Sequence, residues 1–281
     1  MSPSASLLLL LLLGLSQALS LQEEGSTDNG EEAQVDKDVE EEIDIEEEEE
    51  VPDSVDITTR ILTSNNATDE ILLEGDLLAP RTRNAIKCWY QKCLWRKASN
   101  GLVMIPFTVS GQFTRRERRM MDYAMKVYHS RTCIRFVPRT NQYDHISIES
   151  RAGCFSSLGR QGGRQVLSLN RRGCLYHGII QHEINHALGF QHEQTRSDRD
   201  RYVRINWQNI NSQMSYNFYR QSTNNLNTPY DYSSIMHYGR TAFSINGRDS
   251  ITPIPDPKVQ IGQRRGMSYW DIRRINLLYG C

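Results

Sequence analysis

Apolar positions set the first boundaries. Leu7 to Leu13 is an unbroken leucine stretch followed by Gly14 and the small-residue ending Ala18-Leu19-Ser20. That pattern predicts a signal peptide over residues 1–20, too short to stay in a bilayer as a spanning helix. Further on, Leu102 to Val109 predicts a strand, with Pro106 placing it at a sheet edge. Thr114 and Glu117 form a capping-box pattern ahead of Met121, Ala124, Met125 and Tyr128, which recur at helical spacing and predict a buried helix face. Arg115, Arg116, Arg118 and Arg119 fall on its solvated side. Cys133–Pro138, His145–Glu149 and Gln165–Leu169 read as half-buried strands, with a flexible turn at Gly159–Gly163. That turn lacks the G-K-[ST] ending of a phosphate loop. Gly178–Leu188 predicts a helix stopped by Gly189, and Ser268–Leu278 a final capped helix, with irregular structure between them.

Charge divides the chain more sharply than hydropathy does. Residues 1–83 hold 4 basic and 22 acidic side chains, a charge of −18, while residues 84–281 hold 29 and 12, a charge of +17. The acidic piece centres on Glu40–Glu50, which has almost nothing to bury and predicts no folded domain. A sequon at Asn66-Ala67-Thr68 offers one glycosylation site. All six cysteines lie in the basic piece, an even count that in a secreted chain predicts three disulfides, with 15 pairings open.

The chemistry is carried by His182-Glu183-Ile184-Asn185-His186-Ala187-Leu188-Gly189-Phe190-Gln191-His192. On a helix, His182 and His186 project from one face a single turn apart and can share one ion. Gly189 lets the chain leave the helix and return, so that His192 adds a third nitrogen. Zinc with three protein ligands keeps a position for water, the mark of a catalytic site. Glu183, rotated about 100° from His182, is the candidate general base for that water. His129, His145, His177 and His237 lack such spacing and are expected elsewhere.

At these residues the chain resembles the astacin family of metzincin endopeptidases. The resemblance implies an α+β fold: a twisted mixed N-terminal sheet with helices (84–189), a zinc cleft, and a largely irregular C-terminal subdomain with a final helix (190–281). It implies that Ser234-Ile235-Met236-His237-Tyr238 is a Met-turn. There Met236 supports the metal, and Tyr238 is a fifth ligand that swings away to stabilise the oxyanion. It further implies that residues 21–83 are an activation propeptide. In Leu73-Glu74-Gly75-Asp76 the Asp76 carboxylate would ligate zinc in the zymogen, and a trypsin-like protease would cut after Arg83. The new terminus at Asn84 would then tuck toward Glu193, otherwise an isolated buried carboxylate. The family pairing is Cys133 with Cys281 and Cys154 with Cys174, leaving Cys88 with Cys93. Among members, the extra Cys88 and Cys93 pair resembles that of the teleost hatching enzymes, or choriolysins, nearer the low than the high type.

The expected protein is therefore a secreted zinc endopeptidase, one Zn2+ per chain, stored as a zymogen in secretory granules and digesting egg-envelope (zona pellucida-type) glycoproteins. A monomer is expected, without nucleic-acid or membrane partners. Two alternatives stand beside it: an astacin-type protease of an immune or digestive tissue, and an inactive disulfide-bonded binding protein.

Overall fold

Inside the acidic piece, where the charge pattern predicts no folded domain, Ile57–Asn65 form a helix, α1. Asp56 caps it, accepting from the Thr59 amide at 3.0 Å and the Thr59 hydroxyl at 2.9 Å. Ile57 and Ile61 are buried in the main core. Two short strands follow, β1 (Leu72–Leu73) and β2 (Leu77–Leu78), paired antiparallel about a turn in which Glu74 and Gly75 have φ of +48° and +81°. The acidic average conceals these few apolar residues, which dock onto the rest of the chain instead of folding alone.

The computed structural model describes residues 55–79, 92–263 and 265–281, all within one compact unit, Glu47–Cys281. The predicted signal peptide, the Glu40–Glu50 run, Arg83, Asn84 and Cys88 lie outside the described residues.

The central sheet adds β3 (Val103–Val109), β4 (Ile134–Pro138), β5 (His145–Glu149), β6 (Cys154–Ser156) and β7 (Arg164–Leu169). Its order is β1-β2-β6-β7-β5-β3-β4, with β6 antiparallel to β7 and β5, β3 and β4 parallel. Strand β3 is internal, contrary to the edge position that Pro106 predicts. Pro106 faces Val137 of β4, while pairing with β5 begins one residue later at Phe107, so its missing N–H falls outside that ladder. Strands β5 and β7 are buried on nearly every residue, not on alternate ones, because the sheet is covered on both faces. Strand β6, only three residues long, has no periodicity to detect.

Helix α2 (Arg115–Arg131) opens with the Thr114–Glu117 capping box and buries Met121, Ala124, Met125 and Tyr128 as their spacing predicts. Arg115, Arg116 and Arg119 are exposed, while Arg118 folds back onto the carbonyls of Phe113 and Ser110. Helix α3 (His177–Ala187) packs against α2 beneath the sheet and is buried from Gly178 to Ala187. The glycine-rich turn before β7 is pinned: the Gly159 amide donates to the His186 carbonyl at 2.8 Å, and a Cβ on Gly159 would stand 2.6 Å from the Cys93 carbonyl oxygen.

Past α3 the chain runs in short 3-10 turns around one small antiparallel pair, β8 (Val203–Ile205) and β9 (Ile251–Pro253). A second core of Val203, Phe218, Tyr230, Tyr238 and Ile251 supports this half. It ends in α4 (Tyr269–Tyr279), whose Ser268–Asp271 capping box forms as predicted. Disulfides join Cys133 to Cys281 and Cys154 to Cys174, and Cys93 is also disulfide-bonded.

Candidate active site and metal centre

Helix α3 presents His182 and His186 on one face, and each ring is held by a main-chain carbonyl. Nδ1 of His182 donates to Ile235 O at 2.9 Å, and Nδ1 of His186 to Phe190 O at 2.7 Å. Gly189, with φ +105°, turns the chain out of the helix. Among the described residues a Cβ there would meet nothing closer than 3.6 Å, so the backbone angle calls for glycine. His192 returns to the cluster, its Nδ1 donating to the Glu74 carboxylate at 2.9 Å.

A neutral imidazole whose Nδ1 donates keeps its lone pair on Nε2, as ligation of a metal requires. Those lone pairs converge: Nε2 of His182 lies 3.1 Å from that of His186 and 3.2 Å from that of His192. Tetrahedral zinc with bonds of about 2.0–2.1 Å would set such nitrogens about 3.3 Å apart. The Asp76 carboxylate completes the set, 3.0 Å from His182, 3.3 Å from His186 and 3.3 Å from His192. All four residues are buried, and their ligating atoms lie within 4.8 Å of one another. Three unprotonated nitrogens and a carboxylate facing one point repel unless a cation stands between them, so this donor set fits a divalent metal. His129, His145, His177 and His237 stand outside it.

Glu183 is fully buried, and neither carboxylate oxygen has a hydrogen-bond partner among the described residues. Burial, reinforced by the neighbouring Asp76 charge, pushes its carboxyl well above the usual range. Met236 is buried and its carbonyl accepts the Glu193 amide at 3.0 Å. Tyr238 lies wholly inside, its ring 4.6 Å from that of His192 and its hydroxyl donating to the Glu74 main-chain carbonyl. The Tyr238 hydroxyl is thus held by the segment that carries Asp76.

Glu193 is buried but not isolated, which corrects the reason for expecting a chain terminus beside it. Arg274 grips it with two bonds of 2.6 and 2.9 Å, Arg196 adds one at 3.1 Å and the Asp231 amide one at 2.7 Å. Sequence alone does not reveal Arg274, which lies 81 positions away on the final helix. Glu74 gives no signal of its own either, although it sits two residues before Asp76; only the fold shows that it faces His192. Asn66 is exposed at the end of α1.

The peptidase family model described as Astacin matches residues 90–280. The chain is 66% identical to "High choriolytic enzyme 2" of Oryzias latipes over 100% of its own length and 99% of that protein's. It is 50% identical to "Low choriolytic enzyme" of the same fish, over 99% and 98%. Identity is therefore higher to the high type, which runs against the expected likeness to the low one. A solved structure of "High choriolytic enzyme 1", described as a hatching enzyme zinc-protease from the same fish, superposes with a TM-score of 0.68. It shares 66% identity and is matched over 100% of its chain and 70% of this one. The chain belongs to the astacin family and is a metalloendopeptidase closely related to hatching enzymes.

Proposed function

We propose that this metalloendopeptidase is secreted as a silent precursor and, once cut after Arg83, digests the proteins of an egg envelope. The observation that carries the reading is the convergence of three lone-pair Nε2 atoms, from His182, His186 and His192, on one buried point. In the precursor, the Asp76 carboxylate takes the place a water would need. In the cut enzyme that place is open to the substrate.

When bound, zinc supplies a Lewis acid that polarises the scissile carbonyl and makes the attacking water acidic. Glu183 then accepts a proton from that water and passes it to the leaving amine, its unpartnered carboxylate leaving both oxygens available. Tyr238, released from the Glu74 carbonyl, turns its hydroxyl toward the developing oxyanion and donates to it. Met236 holds the floor beneath the three imidazoles.

Envelope proteins as substrate are supported by the names of the relatives, which are choriolytic and hatching enzymes. The +17 charge of residues 84–281 favours approach to an acidic protein matrix, with an on-rate that falls as salt rises. A trypsin-like protease performs the activating cut, storage is in secretory granules, Asn66 carries a glycan, and the working enzyme is a monomer with one zinc.

The test is to treat recombinant precursor with trypsin, sequence the new terminus, and apply the product to isolated envelopes with and without a chelator. A terminus at Asn84 and chelator-sensitive softening are expected. Intact envelopes with a fully active peptidase would confine the proposal to proteolysis of other substrates.

A further inference from the structure

Asn66-Ala67-Thr68 is the one N-x-[ST] triplet in the sequence, and it falls where helix α1 ends. The neighbouring Asn65 pins that end to the rest of the chain. Its Nδ2 donates to the carbonyls of Cys154 and Gly75, both at 2.8 Å, and its Oδ1 accepts the Cys154 amide at 2.6 Å. The Thr68 amide closes the following turn onto the Asn65 carbonyl at 3.2 Å. Asn66 is thereby presented at the surface on a fixed backbone.

Beside it runs a groove of about 630 Å³. Asn66 and Thr68 line one wall, and Met214, Tyr216 and Ile245 line the other. Tyr216 and Ile245 are 39% and 61% exposed, so the far wall offers apolar surface. Asn217 also lines the groove; it is buried, its Nδ2 donates to the Met214 carbonyl at 3.1 Å, and its Oδ1 has no partner among the described residues. An occupant that fits lays an apolar face on Tyr216 and Ile245 and brings a hydrogen-bond donor to Asn217. The pyranose ring of N-acetylglucosamine has both, with C–H groups on its faces and hydroxyl and amide donors around its rim. Attached at Asn66, it is held at the groove at high effective concentration.

Resting on the reading above of a secreted precursor with a glycan at Asn66, we propose that the first sugar rings of that glycan lie in this groove and tie α1 to the C-terminal half. The attachment is a glycosyl transfer: the Asn66 nitrogen bonds to C1 of an N-acetylglucosamine carried on a lipid pyrophosphate, the C1–O bond breaks, the pyrophosphate leaves and the nitrogen gives up a proton. One wall of the groove belongs to the piece that activation removes, the other to the piece that stays. The sugar therefore steadies the uncut protein alone. Because Asn65 also holds the Gly75 carbonyl, a firmer seat for α1 is a firmer seat for Asp76 beside it.

The experiment uses full-length R81Q/R83Q precursor secreted by a eukaryotic host, compared with the same chain carrying N66Q, T68A, Y216A or Y216A/N66Q. Intact mass reports the glycan, and hydrogen exchange reports Ser212–Phe218. The glycosylated chain is expected to exchange there at least about fivefold more slowly than N66Q and T68A. Y216A and Y216A/N66Q should agree within about twofold, since the ring the sugar packs on is gone from both. Hydrolysis of a small peptide by the uncut chain should rise about 3- to 10-fold in N66Q and T68A. Equal exchange with and without a glycan, or a fivefold effect of the glycan that persists in Y216A, would overturn the docking and leave the glycan itself standing. An unmodified Asn66 would overturn both. If Y216A does not fold, I245S, at a side chain already exposed, takes its place. Absence of hydrolysis by the trypsin-treated wild type would remove the peptidase reading, while mass and exchange still decide the place of the sugar.

Discussion

The Glu74 carboxylate accepts a hydrogen bond from Nδ1 of His192 at 2.9 Å, while Asp76, two residues on, faces Nε2 of the same ring at 3.3 Å. The turn carrying Glu74 and Asp76 therefore holds the third imidazole from both sides, and the Glu74 carbonyl occupies the Tyr238 hydroxyl as well. On the proposed zymogen reading, two acidic residues share the latency.

In precursor made uncuttable by R81Q/R83Q, residual hydrolysis of a small peptide reports the population of the open state. E74Q should raise it by roughly 10- to 100-fold, the worth of one hydrogen bond to a charged group. D76N should raise it further. Equal latency in wild type and E74Q would show that Glu74 adds nothing.

Glu183 is expected to act on protons without holding the metal. In E183Q processed enzyme, kcat should fall by roughly 10²- to 10⁴-fold. Zinc content should stay at the wild-type value. Loss of metal together with activity would recast Glu183 as a ligand or structural acid.

His237 gives the fold a pH dependence separate from catalysis. It is buried, takes a 2.8 Å hydrogen bond from Tyr230, and donates from Nδ1 to the Tyr238 carbonyl at 2.7 Å. Burial pulls its imidazole from 6.5 down to about 4, so the folded chain keeps it neutral. A depressed folded value means the contribution is complete above pH 6.5 and is lost as pH falls toward 4, by about 3 kcal/mol in all. H237N cannot titrate there. The stability gap between wild type and H237N, measured by denaturant unfolding, should narrow as pH falls from about 6.5 to about 4; a constant gap would contradict the assignment.

Much of this architecture is legible in the sequence because local signals and tertiary packing agree. The capping boxes at Thr114 and Ser268 start α2 and α4, and Met121, Ala124, Met125 and Tyr128 face the core. The ligand spacing of His182, His186 and His192 fixes the centre, since helix geometry and one glycine suffice to bring them together. What escapes depends on partners distant in sequence. Helix α1 and strands β1 and β2 are stable only against the body of the protein, and β6 is too short to show a period. Pro106 points to an edge because a missing N–H says nothing about where a neighbouring strand begins. Arg274 reads as one more basic residue on an amphipathic helix until the fold sets it against Glu193.

Metal content bears most directly on the central idea. Elemental analysis of processed protein should find one zinc per chain, lost in H182A, H186A and H192A and retained in E183Q, with activity removed by phenanthroline and restored by added zinc. Processed, active protein containing no stoichiometric transition metal would contradict the account.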